Sequence, residues 1–227
     1  MAAGRPAAGG GRWLEVGPDR LVRWLAGFAD RHGGLSAVER GRRTVSFRGA
    51  DGAVAECHVP FPPLLDQDAG PDPAAALAAH AAADRLVGVI LVRLGGYAAG
   101  VFEGERLVAS RVGSRPVHGR SSAGGWSQHR FARRRDKQAR EALAAAATGA
   151  AGVLGPYARR LDAVVLGGDR RAVAAVRDDA RLAPLFALAA EPFLSVPDPT
   201  AAVLKDAPRR FRAVRIRLTE APERSPS

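Results

Sequence analysis

Apolar residues recur at helical spacing shortly after Pro18. They form one apolar face, made of Leu21, Trp24, Leu25 and Phe28. Spacings of three and four residues bring side chains to the same side of an α-helix. Gly33-Gly34 follows, and glycine commonly marks the end of a helix. The pattern therefore predicts an amphipathic helix that packs against an apolar partner.

Two short β-like runs come next, at residues 43–48 and 53–59. The turn between them contains Asp51-Gly52, a pair typical of a tight β-hairpin. We therefore predict a small helix-and-hairpin unit over residues 13–64. Cys57 and His58 fall in the second strand, where we interpret them as core or sheet positions rather than metal ligands.

Low-complexity or proline-rich segments flank the predicted units. We expect disordered tails at residues 1–12 and 221–227, and a Pro/Asp-rich linker at residues 65–73. Asp72 is placed to cap an alanine-rich helix, with Pro73 in its first turn.

The remaining residues alternate between strand-like and helix-like patterns. The predicted strands lie at 86–94, 96–104, 105–112, 162–168, 192–196 and 211–218, and the helices at about 128–156, 169–178 and 199–205. A meander followed by helical crossovers implies an α/β (α+β) fold with helices packed on a mixed sheet. The expected core is a sheet of about five strands in the order βββαβαβ, which resembles the ribonuclease H-like architecture. The strand 211–218 is expected to close this second domain, over residues 74–220.

Positive charge is concentrated in one stretch of the chain. The 227 residues carry a net charge of +11, and residues 111–140 contain eight Arg, one Lys and one Asp. Such clustering favours a phosphate-rich partner, because the guanidinium group binds phosphate through two donors at once. A solvated basic helix face is the alternative interpretation.

Helical geometry sorts the residues of the long helix into two faces. One face carries Arg130, Arg133, Arg134, Lys137 and Arg140, and the other carries Phe131, Ala139, Ala142, Leu143, Ala146 and Val153. Arg135 departs from this pattern and points into the apolar arc. The cationic row is expected to contact nucleic-acid phosphates, which would relieve the repulsion between like charges.

A glycine- and serine-rich loop precedes this helix. Its glycines are Gly119, Gly124 and Gly125, and its neutral polar groups are Ser121, Ser122, Ser127 and Gln128. Glycine lets a backbone approach a ligand closely. We therefore expect a ligand-contacting loop at the start of the cationic helix.

The sequence lacks the residue motifs of several other kinds of active site. Common zinc, phosphate-binding and serine-nucleophile motifs do not occur, and the single cysteine cannot form an internal disulfide. A two-metal nuclease would need clustered carboxylates, but the strand 86–94 has none, and Asp136 and Asp162 have no evident third partner. We expect no metal and no cofactor. No apolar run approaches the roughly 18 residues of a membrane span, so we expect no membrane contact. The single cysteine fits a reducing cytoplasm, and we expect a cytoplasmic protein that is a monomer.

The stretch GSRPVHGRSSAGGWSQHRFARRRDKQ (residues 113–138) resembles the signature of the actinobacterial Vms-like release factors, a family of peptidyl-tRNA hydrolases. This family is similar to the middle domain of eukaryotic and archaeal peptide-chain release factors. The resemblance covers residues 85–220 in element order and is sharp over 113–140. It implies that residues 74–220 form a catalytic domain acting on the ribosomal large subunit, ribosomal RNA and peptidyl-tRNA.

The resemblance also implies roles for individual residues. In the release factors, a Gly-Gly-Gln tip enters the peptidyl transferase centre and promotes ester hydrolysis. Gly124 and Gly125 match the glycines and Gln128 matches the glutamine, with Trp126 and Ser127 between them. The implied catalytic set is Gln128, Gly124, Gly125 and Ser127. The implied RNA-binding set is Arg115, Arg120, Arg130, Arg133, Arg134, Arg135, Lys137, Arg140 and Trp126.

A glutamine amide cannot act as a general base, so its expected work is to position water and donate hydrogen bonds to developing charge. By resemblance, the proton acceptor is the terminal ribose of the tRNA with the surrounding ribosomal RNA. His118 and His129 flank the loop and are more readily interpreted as phosphate contacts or loop structure. The sequence thus predicts a ribosome-rescue peptidyl-tRNA hydrolase. The alternatives are a metal-free nuclease that cuts the tRNA acceptor end, and a non-catalytic ribosome- or RNA-binding module.

Overall fold

The computed structural model describes residues 5–7, 10–65, 70–114 and 127–221, without the side chains of 127–132, 134 and 135. Two compact units make up the chain. The first combines residues 1–83 with 209–227, and the second spans 84–208.

The first unit is an antiparallel sheet with two helices on one face. Its elements in chain order are β1 (Arg5–Pro6), β2 (Arg12–Val16), α1 (Pro18–Arg31), β3 (Leu35–Arg40), β4 (Thr44–Gly49), β5 (Val54–His58), α2 (Pro73–Ala82) and, near the end of the chain, β11 (Val214–Thr219). The sheet order is β1-β2-β11-β5-β4-β3. The predicted apolar face of α1 is confirmed, because Leu21, Leu25 and Phe28 are buried in the core.

The predicted hairpin is confirmed as β4 and β5, but two neighbouring strands were not predicted. β3 is exposed at all six positions, and its apolar residues Leu35, Ala37 and Val38 do not alternate regularly with polar ones, so no buried face identified it in the sequence. β1 pairs with β2 through Arg5↔Trp13, so the expectation of disorder over 1–12 is wrong for residues 5–7 and 10–12. The rest of that tail, and residues 222–227, lie outside the described residues.

The closing strand was assigned to the wrong sheet. β11 pairs with β2 and β5 in the first unit, with Ile216 opposite both Leu14 and Cys57. Its buried Val214, Ile216 and Leu218 alternate with arginines, and such alternation is typical of an antiparallel strand with one buried face. In the other sheet, the parallel strands β6 and β9 are apolar on both faces.

Helix α2 also belongs to the first unit, where it packs against α1. Its predicted cap is confirmed, because the Asp72 carboxylate accepts hydrogen bonds from the amides of Ala74 (2.8 Å) and Ala75 (3.2 Å). The expected domain start at residue 74 therefore lies ten residues before the boundary at Asp84. Cys57 is fully buried in this core, as predicted.

The second unit contains the predicted mixed sheet. Its elements are β6 (Leu86–Arg93), β7 (Gly96–Glu103), β8 (Arg106–Ser114), α3 (Ser127–Leu154), β9 (Ala163–Gly168), α4 (Arg170–Arg177), α5 (Ala183–Ala187), β10 (Ala189–Leu194), α6 (Ala201–Lys205) and α7 (Ala207–Phe211), the last of which runs across the boundary between the units. The sheet order is β10-β9-β6-β7-β8, in which β6, β9 and β10 are parallel and β7 is antiparallel to its neighbours. The predicted α+β fold with a five-stranded βββαβαβ core is confirmed.

Candidate RNA-binding and release site

The C-terminal ends of four strands lie at the same edge of the mixed sheet. Gly96, the first residue of β7, pairs with Arg93 at the end of β6 and with Ser114 at the end of β8. At the end of β9, Gly168 pairs with Val92 of β6 and Gly167 pairs with Leu194 of β10. The ends of β6, β8, β9 and β10 therefore meet at the same edge. The glycine- and serine-rich loop leaves the sheet directly after Ser114, so it starts from this edge.

Helix α3 crosses the sheet and continues past this edge. Leu154 lies beside Gly88 near the start of β6, Gly149 lies beside Tyr97, and Ala142 and Ala145 line a cleft with Gly96 and Ser114. The helix direction from Leu154 to Ala142 thus runs from the far end of the sheet to the edge. Residues 127–141, which we call the arm, continue outward over about 22 Å.

The described side chains of α3 are buried where the helix crosses the sheet and exposed in the arm. The buried contacts of α3 with the sheet come from Ala146, Ala147, Ala150 and Leu154, and Leu143 and Val153 pack beside them. In the arm, Arg133, Asp136, Lys137, Arg140 and Glu141 are exposed. The apolar and cationic faces predicted for α3 are therefore confirmed at the positions whose side chains are described.

Arg133, Lys137 and Arg140 are spaced four and three residues apart, so they share one face of the arm. Lys137 Nζ lies 3.9 Å from Glu141 Oε1, and these two side chains are 74% and 46% exposed. An ion pair this long and this exposed contributes little. All three cations thus remain accessible to a phosphate.

The net positive charge of the second unit comes from residues 111–140. Outside residues 111–140, the unit carries ten Arg and Lys against eleven Asp and Glu. The body of the unit is therefore close to neutral, while residues 111–140 carry a net charge of +8. A polyanion would be drawn to the arm and the loop rather than to the body.

The part of α3 that follows the arm packs at Gly149 on an aromatic ring that the sequence did not mark. Tyr97 is 9% exposed, and its ring lies between the backbones of Gly113 on β8 and Gly149 on α3. Beside it is a cleft of about 160 Å³ lined mostly by glycine and alanine. A tyrosine in an apolar strand is ordinarily a core residue, so no signal in the sequence distinguishes it.

The predicted site residues divide into three groups. Arg133, Lys137 and Arg140 are described in full. Ser127, Gln128, Arg130, Arg134 and Arg135 lie in α3 by their backbones, and their side chains lie outside the described residues. Arg115, Arg120, Gly124, Gly125 and Trp126 lie outside them altogether, as does His118.

Gln128 is the second residue of α3. Backbone N–H groups in the first turn of a helix have no partner within the helix. The backbone amide of Gln128 is thus placed to bind an external acceptor, in keeping with its predicted place at the junction of loop and helix.

The two carboxylates considered in the sequence lie far apart along the fold. Asp136 is exposed on the arm, while Asp162 accepts a hydrogen bond from the amide of Leu86 (2.7 Å) at the opposite end of β6. The described residues contain no group of three or more His, Cys, Asp or Glu that could hold a metal ion. None of the described helices is long and apolar enough to cross a membrane.

Two solved structures are similar to the chain over most of its length. One is the Vms1 mitochondrial localization core, at 13% identity and a TM-score of 0.43, covering 91% of this chain and 82% of that one. The other is the archaeal translation termination factor aRF1, at 14% identity and a TM-score of 0.44, covering 88% of this chain and 66% of that one. No curated protein matches the chain.

A family model provides the assignment. The model of the actinobacterial and chloroflexi VLRF1 release factor, acVLRF1, matches residues 85–217, more than half of the chain. These residues include the whole mixed sheet, the loop and the arm, and the match confirms the resemblance predicted from residues 113–140. The chain therefore belongs to the VLRF1 release-factor family of actinobacteria and chloroflexi.

Proposed function

We propose that this protein hydrolyses the ester bond between a nascent chain and its tRNA on stalled ribosomes or large subunits. Membership of a release-factor family indicates a role in translation termination or rescue. The observation that supports the finer proposal is the arm, a cationic helix that extends about 22 Å beyond the sheet and begins where the loop ends. In this proposal the protein acts in the cytoplasm, as a monomer.

The length of the chain links the glycine pair to the end of the arm. Gly124 and Gly125 precede Ser127 by three and two residues. An extended chain spans at most about 3.6 Å per residue, so a segment of three residues reaches at most about 11 Å from the helix start. We propose that the arm carries the two glycines into the confined peptidyl transferase centre.

The chemistry proposed for the loop is positioning and charge stabilisation. Gln128 offers a side-chain amide and a backbone N–H, which can orient the attacking water and stabilise the oxyanion. Gly124 and Gly125 allow close approach of the backbone, and Ser127 adds a neutral hydrogen-bonding group. The terminal ribose of the tRNA and the surrounding ribosomal RNA supply the proton acceptor.

Binding is proposed to come from the cationic residues. Arg133, Lys137 and Arg140 share the described face of the arm, and Arg130, Arg134, Arg135, Arg115 and Arg120 add charge nearer the loop. Phosphate contacts of this kind supply affinity without sequence preference. Trp126 is proposed to stack on a base or a ribose.

Single-turnover peptide release tests this proposal. Complexes saturated with wild type, Gln128→Ala or Gln128→Pro are compared, with Gln138→Ala as a control on the same helix, ten residues further from the loop. If the side chain acts, Gln128→Ala should release peptide about 10²–10³-fold more slowly. If the backbone N–H acts, Gln128→Ala should retain much of its rate and Gln128→Pro should lose it.

Proline is tolerated in the first turn of a helix, so Gln128→Pro should fold. All three variants keep the cationic face and should bind ribosomes like wild type. Full release by both Gln128 variants would exclude this residue from the mechanism.

A further inference from the structure

The ring of Tyr97 occupies a slot that only glycine neighbours permit. A Cβ atom built on Gly149 would lie 2.3 Å from Tyr97 Cε2, and one built on Gly113 would lie 2.4 Å from Tyr97 Cε1. Ordinary contacts of a Cβ atom are 3.4–4 Å. The ring therefore touches the backbone of a strand on one side and the backbone of a helix on the other.

These two glycines belong to the two stems of the loop. Gly113 is the penultimate residue of β8 before the loop, and Gly149 lies on α3 after it. The neighbouring buried residues of the helix are Ala146, Ala147 and Ala150, whose side chains are small. The tyrosine ring is thus the bulky group that sets the spacing between the helix and the end of β8.

We propose that Tyr97 is a positioning residue that fixes the direction of the arm, and through it the place of the loop in the reaction. The inference rests on the proposed function for the identity of the reaction, and the geometry of the slot carries it. The ring lies against Gly113 and Gly149, which belong neither to the set assigned to catalysis nor to the cationic face, so its proposed effect passes through α3.

A small displacement at the ring is enlarged at the end of the arm. Leu154 is fully buried against the start of β6 and serves as the pivot. Gly149 lies about 7.5 Å from this pivot along the helix, and Ser127 lies about 40 Å from it. A shift of about 1 Å at Gly149, the size of the overlap with an added Cβ, therefore becomes about 5 Å at Ser127.

Misplacement of reacting groups by 1 Å can cost about 10²-fold in rate. We therefore expect Gly149→Ala and Tyr97→Ala to lower the maximal release rate by about 10²-fold or more, since the first displaces the helix and the second removes its spacer. The concentration of protein that half-saturates release should change little, because the cationic face is intact. Tyr97→Phe keeps the ring and should release peptide like wild type.

A matched control lies on the same helix. A Cβ atom on Gly152 would meet no atom within 4 Å, so Gly152→Ala makes the same chemical change without the overlap. Gly152→Ala should therefore keep the wild-type rate. If Tyr97→Ala does not fold, Tyr97→Leu removes the ring with a smaller loss of volume.

A distance measurement in the free protein separates orientation from activity. Spin labels are attached to Ser110→Cys on β8 and Asp136→Cys on the arm, both at exposed positions. Native Cys57 is fully buried, and burial raises the pKa of its thiol to about 12, so it should stay unlabelled. Gly149→Ala should shift the mean distance between the labels by up to about 4 Å, because the same lever moves residue 136 by that much. Tyr97→Ala should broaden the distribution of distances between the two labels, while Tyr97→Phe and Gly152→Ala should leave that distribution unchanged.

Wild-type distances and release rates in Gly149→Ala would overturn the inference. So would a Tyr97→Ala protein whose release differs only in its half-saturating concentration. If wild type releases no peptide at all, the proposed function fails, and the distance measurement alone then decides whether Tyr97 directs the arm.

Discussion

Replacing Arg133, Lys137 and Arg140 together by alanine should weaken RNA binding in a salt-dependent way and leave the fold intact. The three side chains are exposed on one face of the arm, and none belongs to the apolar core of the second unit. Surface substitutions of this kind usually change the free energy of unfolding by no more than about 0.5 kcal/mol each.

The size of the binding effect follows from counterion release. Each phosphate contact contributes about 0.7–0.9 to the slope of log K against log salt, so three contacts contribute about 2–3. Between 50 and 200 mM salt, the affinity of wild type should therefore fall about 20–40-fold more than that of the triple variant.

The assay is binding to purified large ribosomal subunits at several salt concentrations, with the thermal unfolding midpoint measured in parallel. The control is the triple variant Arg159→Ala, Arg160→Ala and Arg171→Ala, which removes the same charge from exposed positions on the body of the unit. The control should keep the wild-type slope. Equal slopes for wild type and the arm variant, or equal losses in the two triple variants, would refute the role given to the arm.

Three further changes test separate parts of the structure. Gly168 has φ of +102°, and an added Cβ would lie against the Val92 carbonyl, so Gly168→Ala should lower the free energy of unfolding by about 1–3 kcal/mol in a denaturant titration. A 2.8 Å hydrogen bond with His32 lowers the pKa of Asp51 below its ordinary value of 3.8. The resulting stabilisation is present above pH 3.8 and is lost as the pH falls through the lowered pKa, so Asp51→Asn should flatten that part of a melting-temperature profile between pH 6 and pH 2. Gly125→Val should slow peptide release without lowering the melting temperature, and a large drop in that temperature would instead make the loop a structural element.

Hydrophobic patterning was sufficient for most of the second unit. β6 and β9 are apolar on both faces, and α3 changes from a cationic arm to an apolar stripe at spacings that a helix requires. These patterns arise from residues close together in the chain, and the strands and the helix form where the patterns predict them. The family resemblance was likewise carried by the unusual composition of residues 113–140 alone.

Long-range pairing was harder to predict. The alternation of Val214, Ile216 and Leu218 with arginines indicated a strand with one buried face, yet it did not say which sheet the strand joins. Its partners Leu14 and Cys57 lie about 160–200 residues earlier in the chain. The exposed β3 had no regular apolar alternation, and β1 has only two residues.

The positioning of Tyr97 was also beyond the sequence. Gly113 and Gly149, which lie beside Tyr97 in the structure, are distant from it in the chain. In the sequence, each glycine is an ordinary small residue of a strand or a helix. Only the crossing of α3 over the end of β8 brings the three together. The catalytic assignments to Gln128, Gly124, Gly125 and Ser127 stay predictions.

In the proposed reaction, the protein breaks the ester and leaves the tRNA whole. The measurement is incubation of purified stalled peptidyl-tRNA complexes with the wild-type protein, followed by mass analysis of the freed peptide and sequencing of the tRNA 3′ ends. Ester hydrolysis should give a peptide with a free carboxyl terminus and a tRNA that keeps its terminal CCA. Shortened tRNA ends would replace ester hydrolysis by nuclease action, and bound protein with neither product would leave only a ribosome-binding module.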